Sequence, residues 1–177
     1  MGSEMDGLFF IFVFSSVLAF GSVLMAAMLW SYIFSQRNQR SRIRDRTLAA
    51  HSELVSGQQW FPVRYASQRR FDTFLKLFPW EAAGILVTLP GSVMFIGESM
   101  LGAPLKLEFD PEASAPGWLG KPFWPNGAAS FFFVNHGNER HYFSSETGAF
   151  VFGSNRSTRA IYKATKVALA RARRRAG

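Results

Sequence analysis

The chain has 177 residues, 48% hydrophobic and 16% aromatic, with no cysteine and a formal net charge of +8. Disulfides, thiolate metal sites and cysteine nucleophiles are excluded, and there is room for one ordinary domain beside one long apolar segment. The positive charge gathers beside that segment and at the C-terminus, a pattern that favours the anionic lipid of an inner leaflet; nucleic acid is not expected.

Residues 1–7 form a short N-terminus containing Glu4 and Asp6. Leu8 to Phe34 then runs for 27 residues without Asp, Glu, Lys, Arg or His. As a helix it reaches roughly 40 Å at about 1.5 Å per residue, enough to cross a hydrocarbon core of about 30 Å. A cleaved signal peptide is not expected, because no cation precedes a run about twice the usual length. Arg37, Arg40, Arg42, Arg44 and Arg46 follow the span. They predict a single-pass protein of the cytoplasmic membrane, its N-terminus outside and its C-terminal domain in the cytoplasm. Trp30 and Tyr32 join these arginines as the expected membrane interface. Ser15, Ala19, Ser22 and Ala26, spaced by four, three and four, make a stripe on which another membrane helix can pack.

Residues 35–58 read as a basic juxtamembrane linker, with a short helix over Thr47 to Val55 before Ser56-Gly57, and residues 59–177 as the cytoplasmic domain. Gln59 to Ala66 is an extended piece that Pro62 places at a sheet edge. In Arg69 to Trp80, Phe71, Phe74, Leu75 and Phe78 recur at helical spacing, a side that covers the domain core or, in the alternative, lies on the bilayer interface with Arg69, Arg70 and Lys76 as candidate lipid contacts. Ile85 to Leu89 and Ser92 to Ile96 form a hairpin through Pro90-Gly91, apolar on both faces and so covered on both. Pro104 to Phe109 alternates, with Leu105, Leu107 and Phe109 inward.

Asp110 to Gly127 reads as a long irregular segment because of its prolines and glycines, and Trp118, Phe123 and Trp124 mark it either as a candidate protein contact or as a lid folded over the domain's own core. Phe131 to Val134 and Arg140 to Phe143 make a second hairpin across Asn135-His136-Gly137-Asn138. A strand over Ala149 to Phe152 follows. The closing helix, Ala160 to Arg174 with Ser157 or Thr158 as N-cap, has Ile161, Ala164, Thr165, Ala168, Leu169 and Ala172 on its apolar side. Arg159, Lys163, Lys166 and Arg173 line another side. These elements define an α+β chain: one transmembrane helix, then a mainly antiparallel β-sandwich or partly open β-barrel with a C-terminal amphipathic helix.

No phosphate loop, nucleophile elbow or framed carboxylate pair is present, and no enzyme is expected. His136, His141 and Glu139 lack the spacing of a metal site. The apolar span has no histidine to ligate a tetrapyrrole, so no metal or cofactor is expected.

The pieces GILVTLPGSVMFIG and RHYFSSETGAFVFG, with the element order from Gly84 to Ala172, resemble the pleckstrin-homology-like domains that bacteria attach to membrane helices. The resemblance implies a partly open barrel plugged by the last helix, and in some members binding of phosphoinositides or peptides. Pro90-Gly91 departs from it, having no Lys or Arg where that family holds lipid phosphate. The expected function is a non-catalytic accessory subunit that docks on and stabilises a larger integral-membrane assembly, such as a photosynthetic or respiratory complex. The alternative is a membrane-tethered module for anionic lipid or peptide.

Overall fold

A computed structural model of the chain describes residues 2–73, 80–121, 129–146 and 155–176, with side chains described apart from those of 2–12 and 176. The chain divides into two compact units, Met1–Arg37 and Asn38–Gly177. Helix α1, Gly2–Ala50, starts in the first and ends in the second. No glycine or proline occurs between Gly21 and Gly57, and arginine is a good helix former, so the helix passes through the basic run without a break. The second unit therefore begins inside the stretch read as a linker. From Val13 to Phe34 nearly every side chain is exposed, Phe20 at 68% and Met25 at 70%. Among the described residues this is the one helix long and apolar enough to cross a membrane.

After α2, Ser52–Val55, the chain turns at Gly57, whose φ of 72° suits a residue without Cβ. Among the described residues seven strands follow: β1 Gln59–Ser67, β2 Ala82–Thr88, β3 Val93–Ser99, β4 Pro104–Phe109, β5 Ser114–Gly120, β6 Phe131–His136 and β7 Glu139–Ser145. Between them lies the short α3, Gln68–Asp72, and α4, Asn155–Ala176, ends the chain. The strands form one antiparallel sheet in the order β4-β3-β2-β1-β7-β6-β5. The sheet curls into a half-barrel, and α4 packs against β2, β3, β5, β6 and β7.

Both expected hairpins form, closed by Pro90-Gly91 and Gly137-Asn138, and β4 alternates as read, with Phe109 buried and Lys106 and Glu108 exposed. Pro62 does not put its strand at an edge; β1 is the middle strand of seven. Its main-chain groups face β7 at that strand's end, where the Pro62 carbonyl accepts from Glu146 N at 3.0 Å, so the missing N–H removes at most the last ladder bond. The segment read as irregular contains β5, at the edge of the sheet among the described residues, where Pro116 and Gly117 are tolerated because fewer ladder bonds are required. Thr158 is not the N-cap of the closing helix, which begins at Asn155. Its hydroxyl is buried and accepts from Ser145 N at 3.1 Å, satisfying the end of β7. The helix read over Arg69 to Trp80 is described only as α3, with Trp80 buried in coil; Phe74, Leu75, Lys76 and Phe78 lie outside the described residues, as does the strand read at Ala149 to Phe152.

The main core fills the concave side. Tyr65, Leu86, Phe95, Phe109, Phe132 and Phe143 meet Ile161 and Leu169 of α4 there, and the Phe143 ring lies 5.5 to 5.8 Å from those of Phe95, Phe109 and Phe132. On the opposite face Ile85, Val87, Met94 and Ile96 pack under Leu48, Leu54 and Val55, which explains why β2 and β3 are apolar on both sides. A third cluster stacks Phe71 on Tyr142 at 3.8 Å beside Phe131.

Candidate functional site

The most concentrated buried charge lies where the end of α1 meets the sheet. Arg40 Nε donates to both oxygens of Glu146 at 2.9 and 3.0 Å, and Arg64 Nε donates to Oε2 at 2.5 Å. Arg40 is 4% exposed and Arg64 0%. The Trp80 ring lies beneath both guanidinium groups, 4.5 Å from that of Arg64 and 5.3 Å from that of Arg40. Helical periodicity brings Arg40, Ile43 and Thr47 to the inner side of α1, and β1 presents Arg64 to the same face. Arg40 thus lies inside the domain, although the sequence places it with the membrane-interface arginines. Nearby, Gln39 Nε2 donates to Met100 O at 2.8 Å and Arg46 pairs with Glu98 at 2.8 Å. The Glu146 carboxylate is shared by both guanidinium groups, so the cluster fastens the end of α1 to the sheet.

Two other polar pairs have the residue types of catalysis without its access. Ser114 Oγ lies 2.8 Å from His136 Nδ1, but Ser114 is 1% exposed and Phe109 stands edge-on to the imidazole. Tyr65 Oη lies 3.0 Å from His141 Nδ1 inside the main core. Burial raises the Tyr65 phenol, with Glu81 and Glu139 adding to the rise, so it keeps its proton. Burial lowers His141; the Glu139 carboxylate, 3.9 Å away, opposes that effect and His136 adds to it. No group of three or more His, Asp or Glu side chains able to hold a metal occurs among the described residues.

The depressed His141 value makes stability depend on pH. The unfolded chain takes up a proton near pH 6.5 that the folded chain resists. The His141 contribution is therefore present above about pH 6.5 and declines as acid approaches the lower folded value. Melting temperature should fall between about pH 7.5 and 5, and His141→Gln should flatten that slope; equal slopes in both proteins would contradict the assignment.

The remaining residues singled out in the sequence are dispersed. Ser15, Ala19, Ser22 and Ala26 are exposed along α1, Ser22 Oγ donating to Leu18 O at 2.8 Å. Trp30 and Tyr32 are exposed, the Trp30 ring 5.2 Å from that of Phe34. Arg37 and Arg42 are exposed, and Arg44 bonds Asp45 and Ser41. Arg69 and Arg70 are exposed on α3. Trp118 is half-buried against its own domain, 5.7 Å from Tyr162 of α4; Phe123 and Trp124 lie outside the described residues. Sequence reasoning missed the Arg64–Glu146 pair. Its only local signal was an arginine in a largely apolar strand.

A groove of about 410 Å³ runs between the end of α1 and the β3–β4 hairpin, lined among others by Arg46, His51, Ile96, Glu98 and Lys106. The outer face of α4 presents Arg156, Arg159, Lys163, Lys166, Arg171, Arg174 and Arg175 to solvent. Compared with known proteins, the chain matches no family model, no curated protein and no solved structure.

Proposed function

We propose that this chain is a single-span membrane protein whose domain is a non-catalytic interaction module, an accessory subunit docking on a larger integral-membrane assembly. The observation that carries the reading is the exposure of the apolar part of α1, where Phe14, Val17, Phe20, Met25 and Met28 are all more than half exposed. A continuous apolar surface of that length is not left to water by a monomeric protein; a bilayer covers it. The arginines at its C-terminal end support an outward N-terminus and a cytoplasmic domain. The curled sheet with α4 packed against it also fits the partly open barrel plugged by a last helix that the pleckstrin-homology-like resemblance implies. The edges of β4 and β5, which pair with no further strand among the described residues, and the groove beside β3 and β4 are surfaces on which protein can dock.

Extraction of the full chain in mild detergent tests the proposal. It should copurify in fixed ratio with other integral-membrane proteins, and Ala19→Leu with Ser22→Leu, which removes the small-residue stripe, should release them. A chain that elutes alone in micelles and cross-links to no membrane protein in native membrane would overturn the accessory role.

A further inference from the structure

Helix α4 contains eight Lys and Arg residues and no Asp or Glu. The chain as a whole has twenty cations and twelve carboxylates, so the other twelve cations balance the carboxylates and α4 alone carries the net charge of +8. The distribution is ordered. Thr158, Ile161, Thr165, Leu169 and Ala172 are the buried stripe, while Arg156, Arg159, Lys163, Lys166 and Arg174 follow one another at three- and four-residue steps or twice that on the exposed side.

This arrangement opposes the helix's own stability. Arg156 and Arg159 stand in its first turns, where the macrodipole disfavours cations; only Arg173, Arg174 and Arg175 at the other end suit it. Arg159 with Lys163, Lys163 with Lys166, and Arg171 with Arg174 and Arg175 are like-charge neighbours, each pair unfavourable in an isolated helix. Among the described residues no cation of α4 forms an ion pair. Arg173 is the best anchored, its guanidinium donating to the carbonyls of Pro111 and Ser114 and tying the helix end to the β4–β5 connection.

We infer that the exposed face of α4 docks on the anionic headgroups of the membrane that α1 enters. The inference rests on the membrane reading of α1, which supplies the occupant: a chain already held in a bilayer meets that surface at high effective concentration, so modest attraction suffices. Each Lys or Arg brought to an anionic leaflet strengthens such docking about fivefold. A long-range attraction without a binding pocket fits a face made of flexible cationic side chains.

The absence of cysteine allows a single label. Full-length Lys166→Cys, carrying a fluorophore, is placed in nanodiscs of phosphatidylcholine alone or of phosphatidylcholine with phosphatidylglycerol, and quenching by neutral acrylamide is measured. Quenching should drop severalfold in the anionic discs at low salt and recover at high salt, where screening shortens to a few ångströms. Arg159→Gln with Lys163→Gln in the labelled chain should abolish the drop, with circular dichroism showing the fold retained. Equal quenching in both discs, or protection that arises only when RNA or duplex DNA is added, would overturn the inference. Failure of the labelled chain to co-elute with either disc would instead overturn the membrane reading beneath it.

Discussion

Replacing Glu146 with alanine should destabilise the domain by about 3–5 kcal/mol, the cost of breaking a buried ion pair from one side. Two guanidinium groups that are 4% and 0% exposed converge on this carboxylate, with Trp80 beneath both. Removing it leaves like charges facing each other away from water. For a unit of this size the loss corresponds to a fall in melting temperature of roughly 6–20 °C. Arg40→Met combined with Glu146→Ala should cost less than the two single changes added together, because the partners act on one another. The pair matters beyond stability: Arg40 is on α1 and Arg64 is on the middle strand, so Glu146 joins the end of the apolar helix to the sheet. A loss below about 1 kcal/mol by thermal or denaturant unfolding would show that the cluster does not hold that joint.

The second large effect is expected at two glycines facing each other across β2 and β3. Gly84 and Gly97 are register partners. A Cβ on Gly84 would lie 2.1 Å from Ile96 O and 2.5 Å from the Gly97 Cα, and one on Gly97 would lie 2.2 Å from Ala83 O. The obstacles are main-chain atoms of a sheet interior, which no rotamer change can move. Gly84→Ala and Gly97→Ala should each cost about 3 kcal/mol or more. Gly117→Ala makes a sharp comparison. Its Cβ would meet the Phe133 ring at 2.2 Å, but that ring is only half-buried beneath Arg140 and can rotate, so a cost of about 1 kcal/mol is expected. Gly91→Ala, with nothing within 4 Å, should be near neutral. Urea titration of the four variants checks the ranking; a Gly117 variant less stable than the Gly84 variant would contradict it.

What was legible in the sequence was local. Pro90-Gly91 and Asn135-His136-Gly137-Asn138 announced their hairpins through turn chemistry, Leu105, Leu107 and Phe109 announced β4 through period two, and Ile161, Thr165 and Leu169 announced the inner side of α4 through helical spacing. Two structures were obscured by residues that usually break them. Pro62 sits where β7 ends and so does little harm in a central strand, and Pro116 with Gly117 sits on β5, at the edge of the sheet among the described residues. Beyond an arginine in a largely apolar strand, the buried ion-pair cluster had no sequence signature, since Arg40 and Arg64 lie 106 and 82 residues from Glu146. Arg40 is also one of five arginines within ten residues, four of them outside this cluster, and composition cannot tell the one that folds inward.

The charge of the chain follows a similar logic. Reading +8 as a global property points to any polyanion, whereas eight cations without a carboxylate stand on one helix, seven of them on its outer face. That concentration is what makes a surface-docking role for α4 testable by changing two residues.

The central claim is that hydrocarbon covers the apolar length of α1. Spin labels on single cysteines, introduced one at a time from residue 9 to residue 37 of the full chain in lipid bilayers, measure it through their relative exposure to oxygen and to a water-soluble nickel complex. The account expects oxygen exposure to peak near Gly21 and Ser22, at the middle of the uncharged run, and nickel exposure to rise toward both ends. A helix equally open to the nickel complex along its whole length, or shielded from both reagents by protein, would contradict it.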